Sequence, residues 1–426
     1  MMPKTLQESK ELMNTIFFAL VCISFFSAIC HHNIPALSKA IINSASNAVD
    51  LSIGLIGVMT LFLGLMKVAE EGGILNTISK LVRPIMVRLF PEVPPDHPAM
   101  GSMIMNISAN ILGLGNAATP FGIRAMQDLN KLNPYPDEAT DSMVLFLAIN
   151  TSGLTVLPTG VIALRAACGS SDPAAILPTT LFATTCSTVT AIFAAKFYSR
   201  FFKKSSKPEA KILKNNDVSA NYYRDDGYPI WISICAIIFV LSLVPIAILY
   251  GKSVSPWIIP SLIIGFLGYG MIKRVKIYEV FVEGAKDGFN VAINIIPYLV
   301  AILIAVGMFQ ASGAMGAMID LIGPFTSKIG LPAEALPMAI LRPLSGSGAY
   351  AVLASIIKNP SIGPDSYIGY LVSTLQGSTE TTFYVIAVYF GAVKIKKIRH
   401  TLIAGLTADI AGIMASVFIC SILFKR

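Results

Sequence analysis

Long apolar runs recur along the whole chain, at residues 14–30, 52–69, 143–165, 174–197, 229–250, 256–272, 291–311, 367–393 and 401–423. A helix of about 20 apolar residues crosses the hydrocarbon of a bilayer. In lipid the backbone must satisfy its own polar groups, which leaves helices as the economical way to use such runs. With 54% of residues hydrophobic and only 13% charged, the chain is partitioned by spans and not by soluble domains. The expectation is an all-α polytopic membrane protein with about nine spans, in the cytoplasmic (inner) membrane. The first run is followed by His31 and His32 without a small-residue cleavage site, so it reads as a retained span. The net charge of +8 comes from basic residues that flank spans, which points to the lipid bilayer as partner and away from nucleic acid. Six cysteines without C-x-x-C spacing read as apolar fillers, and adjacent histidines point in different directions, so no metal site and no cofactor are expected.

The only long polar stretch, residues 196–229, separates two regions that resemble each other. GGILNTISKLVRP (72–84) aligns with SGAMGAMIDLIGP (312–324) at an offset of 240, Gly73 on Gly313 and Pro84 on Pro324. SGLTVLPTGVIAL (152–164) faces QGSTETTFYVIAV (376–388), with Gly153 on Gly377. The domains are therefore 1–205, a linker at 206–228, and 229–426. One run precedes the shared core in the first half and two precede it in the second, so the cores enter the membrane from opposite sides. Loop charge agrees with this when the N-terminus is cytoplasmic. Lys80, Arg83 and Arg88 fall inside against Lys328 outside, and Lys273, Arg274, Lys276 and Lys286 inside against Lys39 outside. KIKKIR (394–399) is inside against ACGSSDP (167–173), and the basic linker is inside against the short tail Phe424–Arg426. Two homologous inverted-topology repeats are the expected architecture.

Such repeats place ligand sites near the midplane, at interrupted helices in matching positions. The interruptions are NISANILGLGNAATP (106–120), INTSGLTVLPTG (149–160), LRPLSGSGAY (341–350) and STLQGSTETT (373–382). Each joins helix-breaking Gly or Pro to hydroxyls, amides or charge, and non-helical backbone at membrane depth is tolerated only inside protein or along a wet cavity. Residues 98–130 and 335–358 read as re-entrant hairpins, each followed by a broken helix. The substrate-binding candidates are Asn106, Asn110, Asn116, Thr119, Asn150, Ser152, Thr155, Arg342, Ser345, Ser347, Gln376, Ser378, Thr379 and Glu380. Hydroxyls and amides between membrane helices also serve as packing glue, the reading preferred for TTLFATTCSTVT (179–190), which carries no Gly or Pro. Charge within the bilayer costs a few kcal/mol (about 3) per residue on insertion scales. Arg342, Glu380 and Asp409 are the intramembrane charges, with Glu380 and Asp409 the candidates for coupling an ion. Arg342 and Glu380 are also suited to pair with each other.

Residues 1–205 resemble spore maturation protein A, through NISANILGLGNAATPFGIRAMQDLNKLNP (106–134) and NTSGLTVLPTGVIALR. Residues 229–426 resemble spore maturation protein B, through LRPLSGSGAYAVLASI and LVSTLQGSTETTFYVIAVYFGAVKIKKIRHTL. The pair belongs to a broader group named for a nucleoside-recognition, or gate, domain that nucleoside carriers and the membrane part of ferrous iron transporters share. The resemblance implies a membrane permeation or gating unit and names no substrate. No P-loop, H-E-x-x-H or G-x-S-x-G is present, so an enzyme is not expected. The functional expectation is a secondary transporter or permease of a small polar solute, nucleoside-like or amino-acid-like, coupled to H+ or Na+. The alternative is a non-transporting membrane scaffold or regulator of cell-envelope or spore maturation. Either leaves room for a homo-oligomer.

Overall fold

The computed structural model describes residues 4–113, 118–135, 137–202 and 227–424. It is all-helical. The helices are α1 (Lys4–Cys30), α2 (Ile34–Glu71), α3 (Ile74–Leu89), α4 (Pro98–Ile111), α5 (Ala118–Lys131), α6 (Asp141–Thr151), α7 (Thr159–Ala167) and α8 (Leu177–Tyr198), then α9 (Ile230–Ile272), α10 (Ile277–Ala311), α11 (Ala314–Thr326), α12 (Leu336–Leu341), α13 (Gly346–Lys358), α14 (Tyr367–Ser378), α15 (Thr382–Ala392) and α16 (Thr401–Leu423). Strand-like pairing among the described residues is confined to one bridge between Glu138 and Lys397.

Seven helices, α2–α8, precede α9 and seven, α10–α16, follow it, and both series open on a long helix. Gly73 ends α2 at φ +82° and Gly313 ends α10 at φ +81°, a left-handed conformation that only glycine adopts without strain. Pro84 and Pro324 lie inside the helices that follow. Helices α2 and α10 pack on each other in opposite directions. Gly64 of α2 meets Phe281 of α10, Met59 and Thr60 meet Gly288, and Ser44 meets Gly307, so the numbering falls in one helix as it rises in the other. A Cβ at Gly288 would stand 2.6 Å from the Thr60 Cα, so small residues set how closely these backbones approach.

The second such pair is α8 and α16. Phe182 stacks near Phe418 with ring centroids 6.1 Å apart, the Ser187 hydroxyl donates to the Ala408 carbonyl at 2.9 Å, and Phe202 beyond α8 accepts from Arg399 ahead of α16. Residues 173–198 and α16 are the two helical segments, among those described, that are long and apolar enough to cross a membrane.

Two apolar cores lie along this pair. One holds Ile162 and Leu164 of α7 with Met338 of α12, Val352 and Leu353 of α13, Leu371 of α14 and Ile419 of α16. The other holds Met103 of α4, Met126 of α5, Phe146 of α6, Ala195 of α8, Ile386 and Phe390 of α15 and Ala404 of α16. Each core thus joins one half's helical pair to the first part of that half's broken helix and the second part of the other half's. The polar interruptions lie between the cores.

Several sequence expectations change in detail. The runs 229–250 and 256–272 appear as one continuous helical stretch, α9, in spite of Gly251 and Pro256 between them. It nevertheless doubles back. The Tyr228 amide donates to the Lys80 carbonyl and Gly270 abuts Val68. Residues 68 and 80 are 12 apart and reach at most about 43 Å even fully extended, whereas a straight helix from 228 to 270 would measure about 63 Å. The spans expected at 52–69 and 291–311 are the C-terminal parts of longer helices, since the preceding amphipathic stretches continue in register. The cysteines are free, but Cys30 and Cys235 are exposed on the protein and are not internal fillers. Most of the expected linker, residues 206–228, lies outside the described residues.

Candidate functional site

Helix α6 stops at Ser152 because Gly153 takes φ +60°, and α7 resumes at Thr159 behind Pro158. Helix α14 stops at Ser378 and α15 resumes at Thr382, with Thr379 and Thr381 in extended conformations. The two breaks touch. The Glu380 amide donates to the Thr151 carbonyl at 2.8 Å, and a Cβ on Gly153 would stand 2.8 Å from both the Thr379 carbonyl carbon and the Glu380 nitrogen. Only a glycine permits this crossing.

Each crossing is covered by the turn of its own half's helical pair. The Val156 amide donates to the Ile111 carbonyl at 3.0 Å, and the Phe383 amide donates to the Pro343 carbonyl at 3.1 Å. Each pair also reaches the other half. The Tyr350 hydroxyl of α13 donates to the Gly160 carbonyl of α7 at 2.9 Å, and Tyr389 of α15 lies over Gly122 of α5. All four interruptions therefore meet.

The freed backbone is satisfied differently in the two breaks. In the first, the Thr184 hydroxyl of α8 donates to the Ser152 carbonyl at 3.2 Å and the Gly153 carbonyl at 2.7 Å, while Ser152 and Thr188 share a hydroxyl pair at 2.9 Å. In the second, the guanidinium of Arg342 donates to the Thr379 carbonyl and, at 3.3 Å, to the Thr381 hydroxyl. Arg342 also faces the Glu380 carboxylate at 3.5 Å, and Glu380 is 47% exposed. The expected pairing of Arg342 with Glu380 exists, and the arginine is equally a cap on the broken helix.

Beside the crossing lies an amide cluster. The Asn110 side chain donates to the Asn150 side-chain oxygen at 3.0 Å, Tyr389 donates to the same oxygen at 3.4 Å, and Asn106 donates to the Tyr389 hydroxyl at 3.3 Å and to the Ala118 carbonyl at 2.9 Å. Thr155 lies beside Gly113 in the first crossing. Thr119, Ser347 and Gln376 are half-buried at the edges of the same interruptions. Ser345 is spent capping α13, where it accepts from the Gly348 amide, and Ser378 is spent on the Leu375 carbonyl of its own helix. Asn116 lies outside the described residues. Asp409 is buried in α16, accepts from Thr382 at 2.7 Å through one oxygen, and keeps its other oxygen without a hydrogen-bond partner among the described residues.

Sequence reasoning missed three groups. Tyr389 joins two of the asparagines, yet reads in sequence as one more aromatic of an apolar run. Threonines 184 and 188, within the stretch read as glue, are caps on the first break. Arg165, which closes the run 143–165, is fully buried, and its place inside that run was signal enough.

Two curated relatives are from Bacillus subtilis (strain 168). "Spore maturation protein B" is 51% identical over 166 residues, which cover 39% of this chain and 92% of the relative. "Spore maturation protein A" is 41% identical over 196 residues, which cover 46% of this chain and 99% of the relative. The family described as Gate, nucleoside recognition, matches residues 52–168 and 292–396. Those two stretches contain all four interruptions and both halves of the crossing, and they make up more than half of the sequence: this membrane protein belongs to the nucleoside-recognition Gate family.

Proposed function

We propose that the protein is a multi-pass secondary transporter of the cytoplasmic membrane, built from two inverted repeats with about nine spans, that moves a small polar solute through the crossing of its broken helices. The observation that carries this reading is the convergence of the four interruptions halfway along α8 and α16. A membrane protein gains nothing in stability from breaking two helices where lipid cannot satisfy the backbone, whereas a carrier needs polar groups at that depth. The antiparallel packing of α2 on α10 and of α8 on α16 supports the inverted arrangement. The helical pairs α4–α5 and α12–α13 are then re-entrant, and the basic end near Arg399 is cytoplasmic.

The amides of Asn106, Asn110 and Asn150 suit the hydrogen-bonding edge of a nucleoside or the polar groups of an amino acid. Glu380, half-exposed beside Arg342, can receive a solute amine or a coupling cation. Asp409, with one carboxylate oxygen that has no hydrogen-bond partner among the described residues, is the second coupling candidate, for H+ or Na+. No enzymatic chemistry is assigned.

The test is uptake by proteoliposomes of labelled nucleosides and amino acids under imposed H+ and Na+ gradients. Glu380→Gln keeps volume while removing charge, and it should abolish uptake or remove its pH dependence at unchanged thermal stability. Full uptake at every pH would leave Glu380 a structural partner of Arg342. A second reading, a non-transporting scaffold or regulator of envelope or spore maturation, is favoured by the names of the two relatives. It gains if no solute moves while an interaction with envelope proteins persists.

A further inference from the structure

The two polar ends of the crossing are tied by matching ion-pair clasps. At one end Arg165, in the last turn of α7, donates to the Asp365 carboxylate at 2.9 Å and to the Pro364 carbonyl at 2.6 Å. Asp365 also accepts from the Ser170 hydroxyl at 2.5 Å and from the Ser171 amide at 2.7 Å. At the other end Arg399, which follows α15, donates to the Asp141 carboxylate at 2.6 Å and to the Ala139 carbonyl at 3.2 Å. Beside it the Lys396 and Lys397 amides donate to the Asp137 carbonyl.

The clasps are reciprocal. Asp141 and Asp365 stand 224 residues apart, the same offset that aligns Gly153 with Gly377, and each lies at the start of its half's broken helix. Each is held by an arginine of the other half, Arg165 from the last turn of α7 and Arg399 from the segment after α15. They also lie at opposite ends of the membrane-length helices. Arg165 reaches the Asp172 carbonyl, just ahead of the span 173–198, whereas Arg399 reaches the Phe202 carbonyl, just after it. The 26 residues between measure about 39 Å. The same separation holds along α16, since Arg399 precedes it and Arg165 lies over Tyr370, whose ring stacks on Phe424 at the far end.

We infer that the Arg165–Asp365 and Arg399–Asp141 clasps are the two gates of the crossing, one on each membrane face, and that the structure is the state with both closed. This rests on the transport reading of the crossing between them. Each clasp ties one half to the other without touching the amide cluster or Arg342, so one can part while the second holds. Separation at the Arg165 end admits solute from the non-cytoplasmic face, and separation at the Arg399 end releases it to the cytoplasm. A static tie would need neither reciprocity nor one copy at each end.

The experiment places Thr155→Cys as a reporter in the full chain, with the six native cysteines replaced and folding verified by melting temperature. Labelling by an impermeant maleimide is followed in right-side-out and inside-out vesicles. Asp365→Asn should speed labelling roughly two- to fivefold from the non-cytoplasmic face alone, and Asp141→Asn from the cytoplasmic face alone, the size of shift expected when one tie in a two-state equilibrium is lost. Equal gains from both faces, or no gain from either in folded protein, would overturn the assignment. Should either variant fail to fold, the exposed pairs Ser171→Cys with Asp365→Cys, and Asp137→Cys with Lys396→Cys, lock the clasps reversibly by oxidation. Each lock should stop labelling from its own face until reduced, and labelling that continues through both locks counts against gating. Labelling needs no solute. Face-specific opening without uptake would sink the transport reading and leave the gates, whereas uptake with face-independent labelling would do the reverse.

Discussion

The first break, 152–158, and the second, 379–381, pose the same physical problem and solve it with different chemistry. Both release helix carbonyls that other protein groups satisfy. The first spends neutral hydroxyls from a neighbouring long helix, Thr184 and Thr188. The second spends a guanidinium from its own half's helical pair, Arg342, and keeps a half-exposed carboxylate beside it. The first break is therefore a scaffold element whose polarity is consumed internally, and the second holds charge that a ligand or ion can reach. Sequence symmetry makes the two halves look interchangeable, whereas their capping chemistry differs.

The sharpest way to break this comparison is at the paired glycines. Gly153 combines φ +60° with backbone of the other half at the place of its Cβ. An alanine there costs about 1–2 kcal/mol for the left-handed backbone and about 1–3 kcal/mol more for overpacking against groups that cannot rotate away. Its counterpart Gly377 has no such φ, and its Cβ would meet only the Thr180 side chain first, at 2.6 Å. Thermal denaturation in detergent should show Gly153→Ala as several degrees more damaging than Gly377→Ala. Equal losses would mean that the crossing does not depend on which glycine carries the strain.

Next in size is Arg342→Leu. It removes the charged donor from the Thr379 carbonyl and leaves Glu380 unpaired, and an unsatisfied buried group costs about 1–3 kcal/mol. The half-exposure of Glu380 keeps the ion-pair share of that loss small. The double variant Arg342→Leu with Glu380→Gln should recover little stability over the single one. Full recovery would make the ion pair, and not the carbonyl cap, the reason for the arginine. Smaller again is Thr184→Val, which preserves shape and removes the hydroxyl cap. Interhelical hydrogen bonds in membranes contribute about 0.6 kcal/mol on average, so a loss near 1 kcal/mol is expected, read from the same melts.

How much of this was legible beforehand follows from which forces write themselves into sequence. Span-length apolar runs, the Gly73 and Gly313 breaks and the four interruptions could be read, because glycine, proline and hydrocarbon thickness act locally. The pairing of Arg342 with Glu380 was legible because two charges in apolar surroundings need each other. The partner of Arg165 and the role of Tyr389 were not. Each depends on what lies across the fold, 200 or more residues away for Arg165 with Ser373 and Tyr389 with Asn150, where no local pattern reports it. Arg165 is the instructive miss: it closes an apolar run, yet it is the largest fully buried side chain among the described residues.

The smallest expected effect concerns pH at the Arg165–Asp365 clasp. Burial disfavours the charged form of Asp365, but hydrogen bonds from Ser170 and Ser171 and the Arg165 guanidinium outweigh it and hold the carboxyl below its ordinary range. A carboxyl lowered in the folded state stabilises it fully above the unfolded value, near about 3.9 for aspartate. That contribution fades as pH falls through the folded value. Melting temperature should therefore be insensitive to Asp365 ionisation from neutral pH down to about 5 and fall only in stronger acid. Asp365→Asn should lower the plateau slightly and flatten the acidic limb, because the proton that the folded protein resists taking up is no longer at issue. The first break, with hydroxyl caps, contributes nothing to that limb, so Thr184→Val should shift the whole curve down without changing its slope. A steeper acidic limb in Asp365→Asn than in the parent would mean that other carboxyls govern acid unfolding and that Arg165 holds its loop through the Pro364 carbonyl alone.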